Sequence, residues 1–485
     1  EMSRLSMKSS VHNGLRCWLL GTTVSLAVLG WAAPADAMTL KQAVQMAVDS
    51  NPEIGQAIED RAATGFELQQ ALGLYAPRVD LNASTGAELL SNPTRRAAGL
   101  DNHVLLPTQV GISVSYDIFD SGYRDAESDR QAARLDGAAL RVLERSEFIA
   151  LEIAQQYFEV MLQARIRDIA QQNVAFHQQT LQNVTDLQGK TATDADLLQA
   201  KERLAAAKAR VEEAQEALDA AKSTFQSLVG IPFDKGTLPT RAGHSLPGTL
   251  DEALGNARSN NPRLRIASAD IDAAGFQVDE SKAGLGPKVS FNGAASTGND
   301  VGGTEGVTND LSGTLSLKMN LFDGGIQQAQ VQENVHRETQ AMLAQQQALR
   351  EVEDQVRVSW DRIRSQSSLE SQYNQQLSAS TNLVSAYSDQ FTVGSRSLLD
   401  VLDAQNSKFS VQILAETADF GVRFSEYRLL AATGKLLNFL GVPAPADATA
   451  DTRAKIGAPP ADAAEPRVEQ PLNIDGPIDL THYVK

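Results

Sequence analysis

The chain has 485 residues, with 43 Lys and Arg against 60 Asp and Glu and a formal net charge of −17. A balance this acidic argues against nucleic acid and anionic lipid headgroups as electrostatic partners. Aromatic residues make up only 5% of the chain, which is lean for several compact cores and fits an extended helical protein better.

Residues 1–37 have the pattern of an export signal. Lys8 and Arg16 precede an uncharged run from Cys17 to Trp31, and Ala35-Asp36-Ala37 supplies an A-x-A cleavage pattern. The run is shorter than the roughly 20 residues a spanning helix needs. A mature chain starting near Met38 is therefore expected. Cleavage removes Cys17, the single cysteine, so neither a disulfide nor a thiolate site is expected. Cys17 also precedes the apolar run, which is the wrong side for a lipid-modified cysteine.

The rest of the chain aligns with itself. Thr39-Leu40 meets Thr249-Leu250, Asn51-Pro52 meets Asn261-Pro262, Gly65-Phe66 meets Gly275-Phe276, and Pro77 meets Pro287. Further on, Phe119-Asp120 meets Phe322-Asp323, and Asp196 meets Asp400. Two copies of one unit are expected, 38–240 and 249–442. In each copy a short amphipathic segment runs to an Asn-Pro break, followed by a helix of about two dozen residues, strands, a very long helix and a return helix.

The strands have period two. Val79, Leu81, Ala83, Thr85, Ala87 and Leu89 alternate with polar residues, as do Val110, Ile112, Val114, Tyr116 and Ile118. Their counterparts are Val289, Phe291, Gly293 and Ala295, then Leu315, Leu317, Met319 and Leu321. Ser91 to Pro107 and Thr297 to Asp310 read as polar loops. From Tyr123 to about Gln188 the chain holds no proline and one glycine, Gly137, which allows a rod of roughly 100 Å. In the return segment Leu197, Leu204, Val211, Leu218 and Phe225 fall seven apart, with Ala200, Ala207, Ala214 and Ala221 between them. That is a coiled-coil seam in which alanines permit close approach. The helices flanking the long one, stacked end to end, match its length.

Strands in a bilayer must close into a barrel, and four per chain are too few. A membrane-spanning form must then be an oligomer. The other reading is a soluble periplasmic coiled-coil adaptor or scaffold, which explains the heptads and leaves the alternating strands without a purpose.

Up to about Val442 the sequence resembles the TolC-like outer membrane factor family. The resemblance rests on the repeated Thr-Leu and Asn-Pro pairs, on Leu321-Phe322-Asp323-Gly324-Gly325, and on the run Val393-Gly394-Ser395-Arg396-Ser397-Leu398-Leu399-Asp400-Val401-Leu402-Asp403-Ala404. It implies a mixed fold, a membrane β-barrel continued by a long α-helical coiled-coil tunnel. Four strands per chain would give a trimer with one 12-stranded barrel and a periplasmic α-barrel. It also implies a homotrimer in the outer membrane lipid, with its tunnel in the periplasm, served by a periplasmic adaptor protein and an inner-membrane transporter. The function implied is a passive exit channel for type I protein secretion or tripartite efflux, and the residues do not choose between the two cargoes.

The candidate site is a gate. Asp400 and Asp403, at i and i+3, share a helix face with Arg396 one turn before. By themselves they also read as helix-end charges answering the macrodipole. The resemblance implies that the aspartates ring the narrowest point of the pore and that Arg396 links neighbouring helices, with Asp196 as a candidate partner. Phe391 stands where the family pattern has a tyrosine, and phenylalanine offers no hydroxyl to such a link. Phe119-Asp120-Ser121-Gly122 and Phe322-Asp323-Gly324-Gly325 read as strand-to-helix junctions, with Asp or Ser as cap and glycine at the bend. Phe119, Phe322 and Tyr116 are then expected at the inner edge of the bilayer.

No enzyme chemistry is legible. The histidines are scattered without metal-ligand spacing, Gly-x-Ser-x-Gly and His-Glu-x-x-His are absent, and no cofactor is expected. Gly189-Lys190-Thr191 looks like the end of a phosphate loop, but Val184 stands at the first glycine position and a helix precedes it. The Pro- and Ala-rich tail 443–485 is expected to be disordered.

Overall fold

The computed structural model describes residues 37–100, 103–189 and 192–458. The expected signal segment, apart from Ala37, lies outside the described residues, as do Lys190 and Thr191. The first copy runs α1 (Leu40–Ser50), α2 (Pro52–Gly73), β1 (Arg78–Thr85), β2 (Glu88–Leu89), α3 (Pro93–Ala97), β3 (Val104–Leu105), β4 (Thr108–Phe119), α4 (Tyr123–Leu187) and α5 (Asp194–Val229). The second runs α6 (Leu250–Asn260), α7 (Pro262–Ala283), β5 (Lys288–Asn299), β6 (Val307–Lys318), α8 (Ile326–Thr392) and α9 (Leu398–Ala432). Two short helices follow, α10 (Leu436–Leu440) and α11 (Thr452–Ile456).

The Asn-Pro breaks work by capping. The Asn51 side chain accepts from the Glu53 N–H at 2.8 Å, and Asn261 accepts from Arg263 at 2.9 Å, with proline in the first turn of each new helix. Asn261 also donates to the Ala432 carbonyl at 2.8 Å, which fixes the end of α9 against the start of α7.

The four long strands form one antiparallel sheet in the order β1-β4-β5-β6. Directly paired residues share a face, and the register sorts those faces by polarity. Leu81, Ile112, Ala295 and Leu311 form one cross-strand row, and Tyr116, Phe291 and Leu315 another. Asp80, Ser113, Ala294 and Ser312 form a row on the opposite face. Among the described residues nothing covers the apolar face: Leu81 is 71% exposed and Leu311 86%. β5 and β6 run longer into the expected loop 297–310 than alternation alone suggested, since Thr297↔Asn309 and Asn299↔Val307 are paired. Threonine and asparagine there keep the two-residue period without an apolar signal. At the other end β6 stops at Lys318, so Met319 and Leu321 lie beyond the strand. The expected loop 91–107 carries α3 and the small β2–β3 pair.

At 65 residues α4 is about 98 Å long. It packs against α2 and α7 over its first half and against α5 and α9 over its second. The alanine row of α5 forms the seam with α4: Ala200, Ala207, Ala214 and Ala221 are all buried. The main core lies where the stacked helices meet, around Ile149, Ile153, Tyr157 and Phe158 of α4, with α1, the end of α5 and the end of α9. The rings of Tyr157 and Phe233 meet edge-on at 5.2 Å, as do Phe158 and Tyr427 at 5.1 Å.

Glu147 and Glu426 are both buried in this region. Glu147 accepts from the Leu437 N–H at 3.4 Å through Oε1, while Oε2 has no hydrogen-bond partner among the described residues. Burial pushes its carboxyl up to about 7, against the pull of the Leu437 and Leu436 N–H groups. A carboxyl raised in the fold binds its proton more tightly there than in the unfolded chain, so stability falls as pH rises from about 4.5 through about 7. Glu147→Gln is accordingly expected to raise the melting temperature at pH 8 and leave it nearly unchanged at pH 5. Equal shifts at both pH values by circular dichroism would contradict this.

The start of the expected disordered tail is folded. Residues 443–458 cross α4, and Arg453 enters a buried acidic site, 2.9 Å from Asp136 and paired also with Asp272. The Asp136 carboxylate accepts from the N–H groups of Thr452, at 2.7 Å, and Arg453 as well. Arg61 and Asp447 add a pair at 2.9 Å. Composition suggested disorder because this anchor is a few polar residues, not an apolar run. Residues 459–485 lie outside the described residues.

Candidate gate at the helix-hairpin tips

Helix α4 ends at Leu187 and α5 begins at Asp194, while α8 and α9 turn at 393–397. This turn is closed by the Gly394 N–H to Phe391 and the Ser395 N–H to Gln390, both at 2.9 Å, with Gly394 at φ +76°. Ser397 and Thr193 occupy equivalent caps: Ser397 accepts from the Asp400 N–H, and Thr193 from the Asp196 N–H, each at 3.2 Å. The two tips share one apolar cluster, in which Leu398 and Leu402 pack with Val184, Ala192 and Ala200.

Around that cluster the predicted gate residues fall into two groups. Arg396 lies 3.8 Å from Asp400, donates to the Gln390 side chain at 3.1 Å, and stacks over the Tyr387 ring at 4.2 Å. Phe391 packs against the shared cluster. Asp403 is 64% exposed and lies 3.8 Å from Arg203 of α5. Asp196 is elsewhere engaged: its carboxylate accepts from the Thr193 N–H at 2.8 Å and the Thr193 hydroxyl at 2.7 Å. Within the chain Arg396 therefore pairs with Asp400 and not with the expected Asp196, because the capping box draws that carboxylate back to its own helix start.

Sequence reasoning missed Tyr387, Gln390 and Arg203. Tyr387 stands one turn before Phe391, and Arg203 one heptad after Asp196, so helical spacing carried both signals.

At the junctions the capping expectation is met by aspartate. Asp120 accepts from the N–H of Gly122 at 3.3 Å and of Arg124 at 3.2 Å. Asp323 accepts from Gly325 at 3.0 Å, Ile326 at 3.1 Å and Gln327 at 3.0 Å. Each bend uses two consecutive left-handed residues, Ser121-Gly122 and Gly324-Gly325, the region glycine enters without strain. Ser121 donates to the Pro287 carbonyl at 2.8 Å, so its hydroxyl ties this junction to the turn before β5 and does not cap. Phe119 and Phe322 are both exposed, and Phe119 pairs with Val289 at the end of the ladder.

A family model described as outer membrane efflux protein matches residues 43–230 and 253–435. The chain belongs to this family. Among curated relatives, outer membrane efflux protein BepC of Brucella suis biovar 1 is 25% identical over 330 residues, 67% of this chain and 72% of its own. Outer membrane protein TolC of Escherichia coli is 23% identical over 436 residues, 86% of each chain. Alkaline protease secretion protein AprF of Pseudomonas aeruginosa is 24% identical over 446 residues, 88% of this chain and 89% of its own. Among solved structures, CusC superposes with a TM-score of 0.71 at 16% identity, covering 81% of this chain and 91% of its own. That likeness is one of fold.

For an outer membrane efflux protein the uncovered sheet has a direct explanation. Its apolar face meets lipid, and its free edges at β1 and β6 are closed by further copies into a 12-stranded barrel. The adaptor alternative fails on the same point, since a soluble protein would leave that face in water. Among the described residues no helix is long and apolar enough to cross a membrane, and the barrel needs none.

Proposed function

We propose that the chain forms a homotrimeric outer-membrane exit channel for type I secretion or tripartite efflux, gated where its helix hairpins end in the periplasm. The carrying observation is the four-stranded sheet with an uncovered apolar face and open edges, fused through capped bends to helices α4 and α8, each about 100 Å long. Strands bring the path through the lipid; helices continue it inward. A periplasmic adaptor and an inner-membrane transporter supply cargo and energy, and the channel is passive. BepC and AprF, an efflux and a secretion protein by name, support both cargo classes.

The gate reading assigns Asp400 and Asp403 to a carboxylate ring around the three-fold axis and Arg396 to the link that holds the tip shut. Support comes from Arg396 itself, held by three groups of its own hairpin: the Asp400 carboxylate, the Gln390 amide and the Tyr387 ring. Phe391 contributes packing where a tyrosine would contribute a hydroxyl. The aromatic residues Phe119, Phe322 and Tyr116 belong to the inner girdle of the barrel.

Native mass spectrometry of the detergent-solubilised outer-membrane fraction is expected to give three copies per particle, and planar bilayers are expected to show cation-preferring channels. A monomer without conductance would overturn the barrel, and with it the function.

A further inference from the structure

Above the tip, one layer of the helix packing is polar. Asn173 and His177 are one turn apart on α4 and buried, and Gln405 of α9 is buried against them, donating to Asn173 at 2.8 Å. Arg203 of α5 completes the layer, 3.8 Å from Asp403 and 3.5 Å from Glu202. The layers on either side are apolar: Val184, Ala200, Leu398 and Leu402 toward the tip, Ile169, Ala170 and Ala207 away from it. Two buried atoms of the polar layer, His177 Nδ1 and Gln405 Oε1, have no hydrogen-bond partner among the described residues, and Arg203 Nε meets Glu202 only as an ion pair at 3.5 Å. A buried polar contact paired this incompletely holds helices less firmly than the apolar layers do.

We infer that Asn173, His177, Arg203 and Gln405 form a proton-operated latch, in which protonation of His177 frees α5 and α9 from α4 just above the tip. The neutral imidazole fits between the helices. The imidazolium would be a buried second cation beside the half-buried Arg203, with the exposed Glu202 on α5 and Asp403 on α9 as the acids near it. Burial first, and Arg203 second, lower the His177 pKa from its ordinary 6.5, while Glu202 pulls it up. Separation of the helices rehydrates the ring and restores that ordinary value. Protons thus bind the opened state more tightly, so acid favours opening. The effect is absent at pH 7.5 and grows as pH falls through about 6.5, by at most about tenfold per pH unit per chain. Arg203 couples the latch to the gate because it also holds Asp403, so this inference rests on the channel reading above.

The test is hydrogen exchange in the full-length trimer at pH 7.5 and 5.5, corrected for intrinsic rates, read over 169–184 and 401–408, with conductance measured in parallel. Wild type is expected to lose protection in both segments by up to tenfold at pH 5.5 and to conduct more, whereas His177→Gln does neither. Equal pH dependence in both proteins, or none in either, would overturn the latch. Should His177→Gln not fold, Arg203→Gln decides: it relieves the repulsion, so the midpoint of the pH response must move upward, and an unmoved midpoint overturns the inference. A trimer that shows the exchange response without conducting removes the channel and keeps the latch. A conducting trimer with pH-independent exchange does the reverse.

Discussion

Replacing Arg453 by methionine is expected to destabilise the helical region by about 3–5 kcal/mol, the cost of leaving buried carboxylates without their cation. Asp136 is 2% exposed and Asp272 7%, so neither recovers hydration when the guanidinium is lost. The side chain also holds residues 443–458 across α4, next to α2 and α7. The loss should therefore appear as a lower melting temperature and as proteolysis beyond Val442. A triple variant, Arg453→Met with Asp136→Asn and Asp272→Asn, removes the charges together. It is expected to recover much of the deficit, as coupled sites do. If Arg453→Met alone melted like the wild type, the anchor would be a surface contact of little consequence.

At the gate, Asp400→Ala/Asp403→Ala is expected to weaken periplasmic block by multivalent cations at least about tenfold, equivalent to roughly 1.4 kcal/mol of lost attraction. In the proposed gate three-fold symmetry repeats both carboxylates around one axis, and a narrow acidic ring concentrates counter-ions. Arg396→Ser acts on closure instead. It removes the pair to Asp400, the bond to Gln390 and the stack on Tyr387 together, so open-state occupancy and single-channel conductance should rise while the trimer persists. Bilayer recordings read both effects. Wild-type block in the double variant and wild-type conductance in Arg396→Ser would return these residues to the role of ordinary helix-end charges.

Much of the fold was legible because its signals are periodic. The uninterrupted run after Tyr123, the alanine heptads and the Asn-Pro breaks each obey one local rule, and the structure follows them. Strand ends were less legible, since Thr297, Thr308 and Asn309 extend the ladder with residues that carry no apolar alternation. The anchor at Arg453 was invisible because its partners Asp136 and Asp272 are distant in sequence and are brought together by the packing of α4 against α7. At the tip, residue types were readable but pairings were not: a capping box at Thr193 decides where Asp196 points, and a heptad relation decides that Arg203 reaches Asp403.

The equivalence of the Thr193 and Ser397 caps has a consequence for symmetry. A ring of three chains presents six hairpins, two from each, so its tip approximates a six-bladed diaphragm. The blades are not alike, because Ala192 stands where the second copy has Arg396, and Gln199 where it has Asp403. The counterparts of Arg396 and Asp403 are thus missing from alternate blades, where Asp196 alone matches the set, and those blades meet the others through the apolar contact of Leu398 and Leu402 with Val184 and Ala200. Opening that begins at the blades carrying Arg396 would break the approximate six-fold arrangement while leaving the three-fold axis intact, dilating the aperture toward a triangle before a circle.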